Sequence, residues 1–318
     1  MDAPLPATIE THEDPMPSPE HEHIVETLSP RVRPAHLTFE ERQSGFAEAA
    51  ATLFPKLAKD VRYAPVDAGG VAAEWVSVPE SDDGRVVFYL HGGGYTQGSP
   101  ATHRELVSRV ARHAQARALC IDYRLAPAHP FPAAVEDALT AYGWLLGSGV
   151  SPSSIALAGD SAGGGLAVAM LLALRDQGRP LPACAACLSP WFDLEGAGSS
   201  ALADDDPIVQ RQHLLEVAGV YLASADPRHP HASPMYGQFA GLPPMLLQVG
   251  TRDLLLDDSR RLESVAMVAG VEVDLEVWPG LIHVWHVWGD AVPEARAALE
   301  SVGRFIRKHA KASAAGLS

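Results

Sequence analysis

From about residue 85 onward the chain alternates between two kinds of hydrophobic pattern. Short, almost wholly apolar runs recur as RVVFYL at 85–90, ARALCIDY at 116–123, SSIALAGD at 153–160, ACAACLS at 183–189 and PPMLLQVG at 243–250, with VEVDLEVW at 271–278. Each reads as a strand, and the unbroken ones as strands covered on both faces. Between them THRELVSRVARHA, PAAVEDALTAYGWLL, the Ala- and Leu-rich stretch after Ser161, and DDSRRLESVAMVAG read as helices, and a last helix runs from Pro293 to His309. Such alternation predicts a mostly parallel sheet with right-handed crossovers, helices on both faces, and a functional site at the carboxyl ends of the strands.

Two regions depart from the alternation. Ahead of it, VRYAPV at 61–66 and VAAEWVSV at 71–78 flank the turn Asp67-Ala68-Gly69-Gly70, which predicts an antiparallel hairpin. Upstream again, 38–59 has Phe39, Phe46, Ala50 and Leu53 at helical spacing, and Thr38 with Glu41 forms a capping-box pattern. Between Trp191 and Pro234 the alternation lapses around a helix-like centre, Val209 to Ala223. These two stretches read as the halves of a cap above the sheet. Residues 1 to about 35 show no periodicity, and at least the first twenty read as mobile or draped over the surface; His12, His21 and His23 read as part of a solvated, acidic tail rather than a metal site. The expected division is 1–59 as tail and cap segment and 60–318 as the catalytic domain, with a cap insertion at about 195–230.

The chemistry sits where strands end. Gly159-Asp160-Ser161-Ala162-Gly163 places a serine on a sharp strand-to-helix turn, beside the free N–H groups of a helix start. RVVFYL runs directly into His91-Gly92-Gly93-Gly94-Tyr95, where backbone N–H groups are left open to an oxyanion. A serine hydroxyl needs a base and a group to orient that base. His283 follows the last strand after the turn Pro279-Gly280, with His286 as its rival; Asp253 follows the preceding strand, with Asp257 and Asp258 as rivals. Those two aspartates fall inside the next helix and are expected to face solvent or interact with its N-terminus. Tyr95, Trp191, Trp285 and Trp288 are candidate substrate-pocket residues, although tryptophan packs in cores equally well.

Composition narrows the setting. A chain of 318 residues with 47% hydrophobic content supports a large core. A formal charge of -15 argues against nucleic acid or an anionic membrane as partner. No run is long and apolar enough to span a bilayer, and the first residues lack the pattern of a signal peptide. Three cysteines give no disulfide framework, so a cytoplasmic location is expected; Cys184 and Cys187 read as members of a buried strand.

HGGGY at 91–95, DYRLAP at 122–127, GDSAGG at 159–164, the Asp of Arg252-Asp253, and GLIH ending at His283 together resemble the hormone-sensitive-lipase-like branch of the α/β-hydrolases, bacterial esterase family IV. The resemblance covers about residue 60 to the end. It implies an eight-stranded sheet whose second strand is antiparallel, a helical cap, and a triad of Ser161, Asp253 and His283. It further implies N–H donors from Gly92, Gly93 and Ala162, with His91, Gly94 and Asp160 in support. No metal or organic cofactor is expected. The expected substrate is a small short- to medium-chain ester, with homodimerisation through a sheet edge suggested. The wording TRDLLLDDS at 251–259 is closer to lactone- and acetyl-ester-cleaving members. A lactone hydrolase and a non-catalytic small-molecule receptor on the same fold are the alternatives.

Overall fold

The computed structural model describes residues 16–28, 38–202 and 206–312. Its strands are β1 (Arg62–Asp67), β2 (Ala72–Ser77), β3 (Asp82–Leu90), β4 (Ala116–Ile121), β5 (Ile155–Asp160), β6 (Cys184–Leu188), β7 (Met245–Gly250) and β8 (Val273–Trp278). They form one eight-stranded sheet in the order β1-β2-β4-β3-β5-β6-β7-β8. β2 runs antiparallel to both its neighbours, and from β4 to β8 every pairing is parallel. The predicted hairpin is therefore the edge of an otherwise parallel sheet, with β2 as its antiparallel strand, as the resemblance implies.

The helices are α1 (Pro19–Leu28), α2 (Phe39–Leu53), α3 (Pro100–Ala114), α4 (Ala133–Gly147), α5 (Ala162–Asp176), α6 (Arg211–Leu222), α7 (Leu256–Val268) and α8 (Pro293–His309). Because successive strand side chains point to opposite faces, the central strands feed two cores. Phe88, Leu90, Ile155 and Leu157 pack with α4, α5 and α7. Val87, Tyr89, Ala156 and Ala158 pack with α3 and α8 on the other side. Both faces being covered explains the unbroken apolar runs in the sequence. Cys184 and Cys187 lie in β6, buried and free, as the strand reading required.

The Thr38 capping box forms: the Thr38 hydroxyl accepts the Glu41 N–H at 3.2 Å, and the Glu41 carboxylate accepts the Thr38 N–H at 2.8 Å. The solvated-tail reading needs correction at His21. Residues 19–28 are helix α1, in which His21 and Val25 are buried while His23 is exposed. Ser18 anchors α1 to the start of α8, its N–H and hydroxyl donating to the Glu294 carboxylate at 2.6 and 2.7 Å. Burial lowers the His21 pKa and keeps the ring neutral. Tertiary packing decides here, because a ten-residue helix is too short to be stable alone or to show a period. His12 lies outside the described residues.

Candidate active site

Ser161 sits between β5 and α5 with φ 52° and ψ -121°, a conformation costly for any residue with a side chain. The turn is tight enough that a Cβ at Gly163 would overlap the Leu90 carbonyl, and one at Gly159 would overlap the carbonyl of Gly163. The strained turn lifts the hydroxyl to the carboxyl end of the sheet. His283 and Asp253 reach the same point from the ends of β8 and β7. The His283 Nε2 lies 2.9 Å from the Ser161 hydroxyl, and its Nδ1 lies 3.0 and 3.1 Å from the Asp253 carboxylate oxygens. Burial alone would lower the His283 pKa, but the Asp253 carboxylate outweighs it and the ring is held above its ordinary 6.5. Burial pushes Asp253 the other way from its partner, and the contact with His283 leaves it below the ordinary carboxylate value. The Leu255 N–H also donates to Asp253, at 2.9 Å.

Neither set of rivals joins this chain of hydrogen bonds. His286 is fully buried, its Nε2 2.9 Å from the Gln248 side-chain oxygen, and burial drives its pKa down to about 3. Asp257 meets the Ser200 N–H at 2.9 Å. Asp258 does not face solvent as expected. It is buried and accepts the N–H groups of Phe192 and Asp193, both at 2.9 Å, and burial pushes its pKa up to about 8.

The glycine loop is held from below by Asp160. One carboxylate oxygen accepts the Tyr89 hydroxyl at 2.8 Å and the Gly92 N–H at 3.1 Å; the other lies 3.4 Å from the His103 Nε2. Burial opposes this anion, yet His103 and the Tyr89 hydroxyl hold its pKa below the ordinary value. His91 is pushed to about 3 by burial, stacks on Tyr123 at 4.2 Å, and meets the Gly92 carbonyl through Nδ1 at 2.8 Å. Gly92 as an open donor is therefore corrected: its N–H is taken by Asp160. Gly93 and Gly94, not Gly92, form the wall beside Ser161. Ala162 opens α5, where first-turn N–H groups have no partner within the helix.

A cavity of about 320 Å³ opens above Ser161 and His283. Its upper wall is apolar: Leu28 of α1, Phe46, Ala49 and Leu53 of α2, and Leu214 and Val217 of α6. Trp191 and Trp288 line it as well. Tyr95 and Trp285 do not. Tyr95 is turned back against Tyr221, with ring centroids 3.8 Å apart. Trp285 is fully buried against Trp278 and His286, because Val284 adopts a left-handed turn (φ 48°, ψ 42°) that directs the next side chain inward and brings Val287 and Trp288 to the cavity. Sequence reasoning also missed Asp206, whose carboxylate accepts the His283 backbone N–H at 2.6 Å. Asp206-Pro207 carries a turn signal, but nothing local indicates that distant contact.

Residues 87–287 match the α/β-hydrolase fold family, and the chain belongs to it. An acetyl-hydrolase of Streptomyces hygroscopicus is 45% identical over 301 residues, covering 92% of this chain and 97% of its own. An esterase of Acinetobacter venetianus is 33% identical over 256 residues, covering 80% and 84%. The crystal structure of an esterase from the bacterial hormone-sensitive lipase family superposes with a TM-score of 0.89 at 44% identity, covering 92% of this chain and 99% of that one. Within the family this chain is a carboxylesterase of the hormone-sensitive-lipase-like kind. Among the described residues, no helix is long and apolar enough to cross a membrane, and no group of three or more His, Cys, Asp or Glu converges on a metal position.

Proposed function

We propose that the protein hydrolyses short- to medium-chain acyl esters through an acyl-enzyme on Ser161. The observation that carries this reading is the continuous hydrogen-bonded series Ser161, His283, Asp253 at the floor of an apolar cavity. His283 takes the Ser161 proton as the oxygen attacks the ester carbonyl, and Asp253 holds the ring and stabilises the imidazolium. The N–H groups of Gly93, Gly94 and Ala162 receive the tetrahedral oxyanion. His283 then passes the proton to the departing alcohol, and water activated by the same ring releases the acid.

Helices α1 and α2 of the N-terminal segment and α6 of the insertion at about 195–230 act as the cap, a role supported by their contacts with the cavity. The cavity volume and the acetyl-hydrolase relative favour small acyl groups. Three free, buried cysteines support a cytoplasmic location. Pairing of two copies is supported by β8 as the last strand of the sheet and by Val265, Met267 and Val268 exposed on the adjoining α7.

The test is turnover of p-nitrophenyl acetate, butyrate, octanoate and palmitate, with ε-caprolactone alongside. Turnover concentrated on the shorter esters supports the proposal. Preference for the lactone keeps the chemistry and replaces the substrate class. Binding of small ligands without turnover by folded protein overturns it in favour of a receptor.

A further inference from the structure

His283 is held by two carboxylates, and only one of them touches its ring. Asp206 comes from the segment between β6 and α6 and is 4% exposed. One of its oxygens accepts the His283 backbone N–H at 2.6 Å. The other accepts the N–H groups of Ile208 and Val209 at 2.7 and 3.1 Å. Pro207, Ile208 and Val209 line the cavity. One side chain thus joins the stretch that meets substrate to the backbone of the base.

The backbone it grips is strained. Val284, the next residue, is β-branched yet left-handed, a conformation that persists only where surrounding contacts over-determine it. Three contacts do so here: Asp206 on the His283 N–H, the Ser189 hydroxyl accepting the Val284 N–H at 2.9 Å, and the Val284 carbonyl accepting the Val287 N–H at 3.2 Å. Without the first, the turn that carries the imidazole loses the restraint on the His283 side, and a buried N–H loses its acceptor.

We propose that Asp206 is a positioning residue for His283, fixing the base from the cap side and carrying the fit of the Ile208-Val209 wall to the imidazole. The inference rests on the assignment of His283 as base. Burial and the neighbouring Asp253 carboxylate push the Asp206 pKa up to about 6, so above that pH it places negative charge beside a ring whose other charged and titratable neighbours are Asp253, Asp160 and His286. That charge favours the imidazolium, as do those of Asp253 and Asp160. This gives the role a signature that packing alone does not produce.

The experiment compares full-length wild type, Asp206→Asn, Asp206→Ala and His283→Ala on p-nitrophenyl acetate across pH, with thermal melting of each. Asp206→Asn loses the charge and keeps one oxygen acceptor, which can serve the His283 N–H while its NH2 turns towards the Ile208 and Val209 N–H groups, so its melting temperature is expected to fall. It is expected to retain kcat at the alkaline plateau within about threefold, while the acid limb of kcat/KM moves down by about half a pH unit. Asp206→Ala loses the acceptor and is expected to lose about tenfold or more in kcat with KM changed less than about threefold. An unchanged acid limb in Asp206→Asn overturns the proposal even if Asp206→Ala does not fold. Wild-type kcat in a folded Asp206→Ala overturns it as well, and a lower melting temperature alone then leaves Asp206 a structural staple. If His283→Ala remains active, the base assignment fails instead, whatever the Asp206 variants do.

Discussion

Removing the Asp160 side chain tests how the glycine loop is held. Asp160→Ala takes away the acceptor of two buried donors, the Tyr89 hydroxyl and the Gly92 N–H. Each orphaned donor costs about 1–3 kcal/mol, so the variant should lose about 2–6 kcal/mol of stability. Gly93 and Gly94, the proposed oxyanion donors, follow directly on the freed N–H, and under that proposal displacement of one donor costs about 10²–10³ in kcat. Asp160→Asn separates the acceptor from the charge, because its carbonyl oxygen can still receive both donors. We expect it to stay within about 2 kcal/mol of wild type and within about tenfold in kcat, reflecting the loss of charge assistance. Urea unfolding and steady-state hydrolysis of p-nitrophenyl acetate read the two quantities. A folded Asp160→Ala with wild-type kcat, or equal loss in both variants, would refute the reasoning.

Other consequences are independent of that loop. His283 must be neutral to accept the serine proton, and its pKa lies above the ordinary 6.5, so kcat/KM should fall as pH drops through a value above 6.5; an acid limb below 6 contradicts the assigned electrostatics. Leu53→Trp on α2 fills part of the cavity and should cut kcat/KM for octanoate by about tenfold or more relative to acetate, measured by direct competition of the two esters. The raised pKa of Asp258 means that its neutral form favours folding. Its contribution is complete below the ordinary 3.8 and is lost as pH rises towards about 8. Thermal melts should therefore show Asp258→Asn gaining on wild type between pH 5 and pH 9, and a constant difference would count against a neutral buried acid.

The parts of the site legible in the sequence were those fixed locally. Ser161, Asp253 and His283 each follow a strand, and their neighbours carry the turn chemistry that such ends require. The parts that were not legible depend on distant partners. Which of three consecutive glycines faces the cavity is settled by an acceptor at Asp160, 68 positions away. Of the expected pocket tryptophans, Trp191 and Trp288 line the cavity while Trp285 turns into the core, because Val284 turns left-handed, held by the Ser189 hydroxyl, and a β-branched residue gives no warning of that conformation. Asp206 reaches His283 across 77 positions. α1 escaped notice because its order comes from packing and from Glu294 rather than from its own pattern. In the fold the apolar runs sufficed for the strands, since two covered faces impose them; the antiparallel second strand came from the resemblance and the hairpin, and the order β1-β2-β4-β3-β5-β6-β7-β8 from the structure alone.

The central claim is that one serine carries the acyl group. Trapping with a p-nitrophenyl alkylphosphonate, followed by peptide mass spectrometry of wild type, Ser161→Ala and His283→Ala, addresses it directly. The account predicts a single adduct on Ser161, no adduct and no ester turnover in Ser161→Ala, and much slower trapping in His283→Ala. An adduct on another residue, or wild-type hydrolysis by Ser161→Ala, would contradict it.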